Sequence, residues 1–574
     1  MMNRAHLLSL RLSHALRETF QEKKYNLNSL IKDILAGITV GIIAIPLSMA
    51  LAIAIAVPPQ YGLYAAMVSG FIIALTGGSR YSISGPTAAF VVILYPITIQ
   101  YGLGGLLLAT VMSGVLLIIM AYARLGRLIE YIPESVVLGF TGGIAIVIFT
   151  LQINNLLGLN IDTMPENYID KLDIIFKSIP SFNPASLSVA SLTLAIMICW
   201  PRLKIPIPPH LPAVIISSIF TYVLSQYNFD IATIGSEFSY LLDDGTVGTG
   251  IPSVLPVFNF PWSFPTSDGT PLTLSWPLFI DLLPKAFTIA MLGAIESLLC
   301  AVILDGMSNK RHSANSELLG QGIGNIVGPF FGAITSTAAI ARSSANFKSG
   351  AQSPLSAMIH SVIIFIAILF LTPYLAKVSM PTMAALLVVV AWNMSETPKI
   401  ISVLKKAPIN DIVVLLLCLF LTVFFDMTIA IVSGIILASI LFMKEIAKTT
   451  KITNVTTKYL SNDSQLMNNS KIIKISGPLF FAAADRLFGE LSYQAKPLSK
   501  IILCLEDVPL LDAGGLSALE HFIRECKKNQ TQVYLANWQF QPLKTLARSG
   551  LAPIKGELIF CASLSLALED VKKD

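Results

Sequence analysis

The sequence predicts a polytopic α-helical membrane protein that ends in a small α/β domain. Of its 574 residues, 54% are hydrophobic and only 13% are charged, and the mean hydropathy is +0.71. Soluble domains carry about a quarter charged residues, which excludes an ordinary globular chain. Long apolar runs recur from about residue 34 to residue 447, and short apolar strands alternate with amphipathic helices after about residue 455. We therefore predict an N-terminal segment at 1–33, a transmembrane domain at 34–450 and a soluble domain at 455–574.

Fourteen apolar segments are candidate membrane spans, although several are too short to cross a bilayer alone. They lie near 34–56, 61–77, 86–99, 102–121, 130–152, 186–200, 211–225, 285–305, 315–330, 338–347, 353–373, 381–394, 409–425 and 427–447. An even number of spans places both termini on the same side of the membrane.

Charge placement predicts the orientation of these spans. Segment 226–284 carries six acidic residues and no Lys or Arg, and loop 154–185 is also net acidic. Basic residues fall at alternate ends of the spans: Arg80, Arg124, Arg127, Arg202, Lys204, Lys310, Arg311, Lys405, Lys406, Lys444 and Lys448. The positive-inside rule assigns these ends, both termini and the soluble domain to the cytoplasm, in a multi-pass membrane protein.

Several functional classes are disfavoured by composition. The six cysteines form no CxxC pair, so neither a zinc site nor a disulfide framework is expected. The net charge of +5 is explained by Lys and Arg in short loops and requires no nucleic-acid partner. The sequence shows no set of nucleophile and base and no set of metal ligands, so we expect neither an enzyme nor a cofactor.

Two short runs in the membrane domain resemble each other. SGPTAAF at 84–90 opens the third predicted span, and TSTAAI at 335–340 opens the tenth. A separation of seven spans gives the two halves opposite topology, as in an inverted repeat whose discontinuous helices meet near the midplane. Chance similarity is the alternative, because small residues also allow close helix packing.

Each run could begin a helix inside the bilayer. Ser84 could cap a helix with Pro86 in its first turn, and residues 335–337 could cap the second helix. Such a start leaves backbone N–H groups unpaired and carries partial positive charge, which suits a carboxylate or an oxyanion. The predicted anion site is formed by the backbone of Thr87, Ala88, Ala89, Ala339, Ile340 and Ala341.

Two ionisable residues lie in these apolar surroundings. Glu296 occupies the middle of MLGAIESLL at 291–299, where a charge costs roughly 2.5–3.5 kcal/mol on insertion scales. A carboxyl group buried beside an anion favours its neutral form, so Glu296 is the predicted proton-coupling residue. Arg342 follows the second helix start and could complement the charge of the substrate or pair with Glu296. A structural ion pair between helices is the alternative for both residues.

The residues after 455 predict an α/β module. Strands are predicted at 471–475, 501–505 and 532–536, and helices at 513–528 and 542–549. The run DVPLLDAGG at 507–515 joins a strand to a helix whose start could receive a ligand or a partner. A purely structural turn is the alternative.

Three motifs give the chain a resemblance to the sulfate permease (SulP) family of anion transporters along nearly its whole length. They are LAGITVG at 35–41, followed by Ile45 and Pro46; GRLIEYIPESV at 126–136, followed by Gly139 and Phe140; and NSELLGQG at 315–322, followed by Asn325. The tail resembles the STAS domain that ends these transporters. Within the family, residues 44–51, 77–94 and 290–307 look closest to bacterial DauA-type C4-dicarboxylate transporters.

The resemblance implies a uracil-permease-like fold of seven plus seven inverted spans, in which a core domain moves against a gate domain. It also implies a substrate held between the third and tenth half-helices, coupling through the acidic residue of the eighth span, here Glu296, and a homodimer. We therefore expect secondary active, proton-coupled transport of a small organic anion such as succinate or fumarate, by alternating access.

Three departures from the family pattern bear on this expectation. Pro46-Leu47-Ser48 stands where many inorganic-anion members read Pro-Gln-Gly, and Cys300 and Ile340 stand where sodium-coupled members carry hydroxyls. Ala513 follows Asp512, where STAS phosphorylation switches carry Ser or Thr. Transport or exchange of sulfate, bicarbonate or chloride stays open, and so does a membrane-tethered signalling protein whose STAS domain binds a cytosolic protein.

Overall fold

The computed structural model describes residues 10–21, 25–126, 132–161, 164–165, 167–203, 205, 207–241, 247–266, 269–425, 427–460, 469–495 and 498–573. Some residues used above lie outside these ranges: residues 127–131 of the second motif, Lys204, Asp243, Asp244 and Asp268. The chain divides into two units, Met1–Ile435 and Ile436–Asp574. The domain limits given above remain predictions.

The first half of the N-terminal unit is helical. It contains α1 (His14–Gln21), α2 (Leu27–Ala54), α3 (Pro59–Tyr64), α4 (Gly70–Thr76), α5 (Val91–Tyr122), α6 (Glu134–Leu157), α7 (Tyr168–Ser178), α8 (Pro184–Cys199) and α9 (His210–Gln226). A π-helical turn at Ala65–Ser69 joins α3 to α4, and a 3₁₀ turn at Ala88–Phe90 leads into α5. Gly102, with φ 65°, breaks α5 between the third and fourth predicted spans.

The second half repeats this helical character. The helices that follow are α10 (Ile234–Glu237), α11 (Trp276–Ser308), α12 (Ala314–Val327), α13 (Ile340–Lys348), α14 (Leu355–Phe370), α15 (Thr372–Leu375), α16 (Met380–Met394), α17 (Thr397–Lys406), α18 (Ile409–Phe424) and α19 (Met427–Thr449). Two antiparallel two-stranded ribbons pair β1 (Ser84–Gly85) with β4 (Thr337–Ala338) and β2 (Ser239–Leu241) with β3 (Val247–Thr249).

Seven of the described helices are individually long and apolar enough to cross a membrane. Shorter apolar helices, including α9, α14 and α18, occupy other predicted spans. The number of crossings, fourteen, therefore remains a prediction.

Helix packing relates the two halves of this unit. Helix α2 packs on α14 as α11 packs on α5, and α6 packs on α18 as α16 packs on α8. In each pair of contacts, the helices of the second contact lie seven predicted spans from those of the first: α2 corresponds to α11, and α14 corresponds to α5. Such correspondence between the two halves is the pattern of an inverted repeat. We call α2, α4, α5 and α11–α14 the core group, and α6, α8, α9, α16 and α18 the gate group.

The N-terminal helix is held to the residues that lead into the first discontinuous helix. The backbone N–H of Ser13 donates to the carbonyl of Thr76 (2.9 Å), and Arg80 donates to Glu18 (3.1 Å). Hydrogen bonding from His14, and then from Arg80, lowers the pKa of Glu18 to about 2. Glu18 is therefore a charged partner of Arg80 at neutral pH.

Asp33 was not singled out by the sequence analysis, yet it is a fully buried carboxylate in α2. Its Oδ1 accepts from the backbone N–H groups of Gln352 (2.6 Å) and Ser353 (3.1 Å). Its Oδ2 accepts from the hydroxyls of Ser353 (2.6 Å) and Tyr25 (2.7 Å). The Asp33 side chain thus attaches the segment that connects α13 to α14 onto α2.

We expect Asp33→Ala to lower the thermal midpoint of the purified protein strongly. Each buried donor left without an acceptor costs about 1–3 kcal/mol, and Asp33 serves two backbone donors. Asp33→Asn keeps one carbonyl acceptor and should lose less. Equal midpoints for wild type and Asp33→Ala in detergent would contradict this role.

The C-terminal unit contains a five-stranded sheet. Its elements are β5 (Lys451–Asn454), α20 (Thr456–Leu460), β6 (Ser470–Ser476), α21 (Phe481–Ala495), β7 (Lys500–Asp507), α22 (Ala513–Lys528), β8 (Gln532–Ala536), α23 (Phe540–Ser549), β9 (Leu558–Cys561) and α24 (Leu564–Lys573). The strand order is β5-β6-β7-β8-β9, with β5 antiparallel and the others parallel. All five predicted elements are present, whereas β5, β9, α20, α21 and α24 were not predicted.

The turn at 507–515 has a structural explanation. Asp512 caps α22, since its Oδ1 accepts from the backbone N–H of Gly515 (2.7 Å). Its Oδ2 accepts from the backbone N–H of Phe481 (3.2 Å). The carboxylate therefore already occupies the helix start where a ligand could have bound.

Candidate functional site

Two discontinuous helices meet at a short antiparallel pair inside the core group. Ser84 lies opposite Ala338 and Gly85 opposite Thr337, and the N–H of Ala339 donates to the carbonyl of Ile83 (2.9 Å). Pro86 and Thr87 separate the first strand from the 3₁₀ turn Ala88–Phe90, and Ala339 separates the second strand from α13. The similar runs of the sequence therefore lie side by side.

Neither helix start carries the side-chain cap that the sequence predicted. The N-cap residues are Thr87 and Ala339, and neither makes a side-chain cap hydrogen bond. Ser84 instead accepts from Gln321 Nε2 (3.1 Å). The prediction that Ser84 caps the first helix is therefore wrong, because the helix starts after Thr87 and leaves Ser84 in strand β1.

The predicted caps of the second helix are also engaged elsewhere. The hydroxyls of Thr335 and Thr110 lie 2.6 Å apart, and Thr337 donates to the carbonyl of Gly293 (3.1 Å). The first N–H groups of both helices are thus left without side-chain acceptors. Both starts keep the partial positive charge that favours an anion.

Helix α12 supplies the partners of the extended backbone. The amide of Asn325 donates to the carbonyl of Ser336 (2.8 Å) and accepts from its N–H (2.8 Å). Glu317, Gln321 and Asn325 follow one another at four-residue spacing, which places them on one helix face. Irregular backbone inside a membrane bundle needs such partners. This four-residue spacing of polar side chains could have indicated their role as backbone partners, but the sequence analysis did not predict that role.

All eight predicted site residues line one cavity of about 420 Å³. They are Thr87, Ala88, Ala89, Glu296, Ala339, Ile340, Ala341 and Arg342. The structure thus brings together both helix starts and both ionisable residues.

Arg342 joins the two helix starts. Its Nη2 donates to the carbonyl of Pro86 (2.6 Å), while Nη1 is buried without a hydrogen-bond partner. A Cβ at position 85 would lie 3.0 Å from Nη1, so Gly85 leaves room for the guanidinium. A buried, fixed cation with an unused donor is a strong anion ligand.

Glu296 lies in α11 and accepts a hydrogen bond from the Thr87 hydroxyl (2.9 Å). No salt bridge joins Glu296 to Arg342, both of which are described. The structural ion pair considered above is therefore not formed. The carboxyl instead lies at the first helix start, where its charge would be adjacent to a bound anion.

Part of the cavity lining belongs to the gate group. It includes Val137, Leu138, Phe140 and Thr141 of α6, His210 of α9, and Val390, Asn393 and Met394 of α16, with Glu396 beyond. Sequence reasoning did not assign His210, Asn393 or Glu396 to the site, because their proximity depends on packing between distant helices. Among the described residues, no cluster of three His, Cys, Asp or Glu side chains is arranged to hold a metal ion.

Comparison with known proteins identifies two matching family profiles. The Sulfate permease family matches residues 30–417, and the STAS domain matches residues 464–563. The chain is 38% identical to the Putative sulfate transporter YvdB of Bacillus subtilis, over 92% of this chain and 95% of that protein. It is 25% identical to the Bicarbonate transporter BicA of Picosynechococcus sp., over 92% of each chain.

Solved structures share the fold. The murine Solute Carrier 26 family member A9 anion transporter in the inward-facing state superposes with a TM-score of 0.82 and 18% identity, covering 98% of this chain and 94% of that chain. The transmembrane domain of a cyanobacterial bicarbonate transporter BicA superposes with a TM-score of 0.61 and 25% identity. This match covers 72% of this chain and 98% of that chain. The predicted fold class, a membrane transporter fold with a C-terminal STAS domain, is thereby confirmed.

Proposed function

The chain belongs to the sulfate permease family and ends in a STAS domain, and from this premise we propose that it is a secondary active, proton-coupled transporter of C4-dicarboxylates. The family assignment itself supports anion transport. The more specific substrate and the coupling ion rest on the cavity described above. The resemblance to DauA-type members agrees with this substrate class.

One observation carries the proposal: two uncapped helix starts and Arg342, whose buried Nη1 has no hydrogen-bond partner, line the same cavity. The helix starts contribute unpaired N–H groups and partial positive charge without a counterion. Arg342 adds a full charge at the same place. We infer that a carboxylate of the substrate binds there, at the backbone of 87–89 and 339–341.

Proton coupling is proposed to use Glu296. A carboxylate and a bound anion repel each other at short range, so the loaded site favours neutral Glu296. Binding free energies are reciprocal, so protonation of Glu296 strengthens anion binding by the same factor. Arg342 opposes this effect because its charge favours the ionised carboxyl. The Thr87 hydroxyl can donate to either form of the carboxyl, through an oxygen that still carries a lone pair.

Alternating access is proposed to move the core group against the gate group. The gate wall is formed mainly by Val137, Leu138, Phe140 and Thr141 near the start of α6 and by Val390, Asn393 and Met394 near the end of α16. The positive-inside rule assigns both ends to the cytoplasm, so we propose that this cavity opens inward. We also propose the bacterial inner membrane, cytoplasmic termini, a homodimer and a cytosolic protein partner for the STAS domain.

Sulfate or bicarbonate is the second candidate substrate. The names of YvdB and BicA support this alternative for related chains. Radiolabelled succinate uptake into proteoliposomes, with an imposed pH gradient and with sulfate and bicarbonate as competitors, tests both. We expect uptake driven by an acidic exterior and inhibited by fumarate more strongly than by sulfate. Uptake of sulfate or bicarbonate but not succinate would reject the dicarboxylate assignment.

We expect Ala339→Leu and Ala88→Leu to reduce uptake at least about tenfold by filling the space beside the N–H groups. Ala339 and Ala88 both line the cavity. Ala123→Leu, at an exposed position, is the matched control and should transport normally. Thermal midpoints in detergent show whether the variants stay folded. Normal uptake by folded Ala88→Leu and Ala339→Leu would exclude a site at the helix starts.

A further inference from the structure

We infer that His210, on the gate wall, is a second anion-recognition residue that binds the far carboxylate of an elongated dianion. This inference rests on the proposed function, since it explains how one family of anion carriers could select a dicarboxylate. It assigns a specificity role to a residue of α9, outside the two helix starts.

The observation is a pair of buried nitrogens without hydrogen-bond partners, both on residues that line one cavity. In the described part of the chain, several buried side-chain nitrogens and oxygens have no hydrogen-bond partner. Only Nη1 of Arg342 and Nδ1 of His210 belong to residues that line this cavity. Buried polar atoms are nearly always paired, so two unpaired nitrogens on residues that line the same cavity suggest a ligand with two acceptors.

The two donors lie on different groups of helices. Arg342 is in α13 of the core group, and His210 is the first residue of α9 in the gate group. We expect a compact anion at the helix starts to bind Arg342 alone. A dicarboxylate can place one carboxylate there and extend the other across the cavity to His210.

The chemistry of the wall agrees with this role. Imidazole donates from Nδ1 in one neutral tautomer and in the cation, so His210 can donate to a carboxylate in either protonation state. Glu396 also lines this wall, but Lys399 lies 2.5 Å from its carboxylate and offsets its charge. Asn393 is exposed on the same wall and offers a second neutral donor.

Equilibrium binding of labelled succinate and labelled sulfate to the full-length protein at fixed pH tests the inference. His210→Ala should weaken succinate binding by about 10- to 100-fold, the loss of one hydrogen bond to a charged group. Sulfate binding should change by less than about threefold. His210→Asn, whose amide nitrogen stands close to the position of Nδ1, should restore most of the succinate affinity.

His521→Ala is the matched control, because this exposed histidine lies in α22 of the C-terminal unit and is not among the residues that line the cavity. It should bind both anions like wild type. If wild type binds succinate and His210→Ala binds it equally well, or loses succinate and sulfate affinity equally, His210 is not the second recognition residue. Wild type that binds sulfate but no succinate would instead reject the dicarboxylate function itself.

Discussion

Arg342→Ala is expected to abolish measurable uptake and to weaken anion binding to the purified protein. Removing one partner of a buried, hydrogen-bonded charge pair costs about 2–5 kcal/mol, which corresponds to roughly 30- to 4,000-fold in affinity. Arg342 also donates to the carbonyl of Pro86 (2.6 Å), so the variant loses the link between the helix starts. The lost charge and the lost hydrogen bond to Pro86 should both weaken binding of the same anion.

Arg342→Lys separates these contributions. Lysine keeps the positive charge but offers no planar pair of donors, so it cannot hold Pro86 and the anion together in the same geometry. We expect intermediate affinity with a thermal midpoint close to that of wild type. Measured by equilibrium binding, unchanged affinity in folded Arg342→Ala would remove this residue from the site.

Glu296→Gln is expected to bind the anion but to fail to accumulate it under a proton gradient. Glutamine mimics the neutral carboxyl permanently, and its carbonyl can still accept the hydrogen bond from Thr87. Because no proton is then taken up with the anion, an imposed pH gradient should produce no accumulation. Counterflow exchange should persist, since exchange moves no net proton.

The measurement compares pH-driven accumulation with counterflow in the same proteoliposomes. Glu296→Asp is the matched control, because it keeps an ionisable carboxyl and should retain some accumulation. Binding by Glu296→Gln should also depend less on pH than binding by wild type. Full pH-driven accumulation by Glu296→Gln would show that another group carries the proton.

The position of the candidate site could be predicted from local sequence. Two similar runs of small residues, one acidic residue in an apolar span and one arginine after a helix start pointed to residues that line a single cavity. The strength of this signal has a physical origin. A charge is costly inside an apolar span, so Glu296 and Arg342 stand out from their surroundings, and the repetition of the small-residue run marks the two helix starts.

The hydrogen-bond partners could not be predicted in the same way. Ser84 is a residue type that often caps helices and lies close to the helix start, but its hydroxyl accepts a hydrogen bond from Gln321 of α12 instead. Asp33 looks like part of a polar entry segment, yet it accepts four hydrogen bonds, from Tyr25 and from residues more than 300 positions away. His210 begins an ordinary apolar helix, and only the packing of α9 brings it to the cavity. Such pairings depend on tertiary contacts that no local pattern encodes.

The central claim is that the substrate anion lies between the two uncapped helix starts. A cryo-EM map of the full-length protein, at a succinate concentration shown by equilibrium binding to saturate it, tests this most directly. We expect ligand density within hydrogen-bond distance of the N–H groups at 87–89 and 339–341 and of Nη1 of Arg342. This density should be absent from a map recorded without substrate. Saturated protein with these groups unoccupied and ligand density elsewhere would contradict the account.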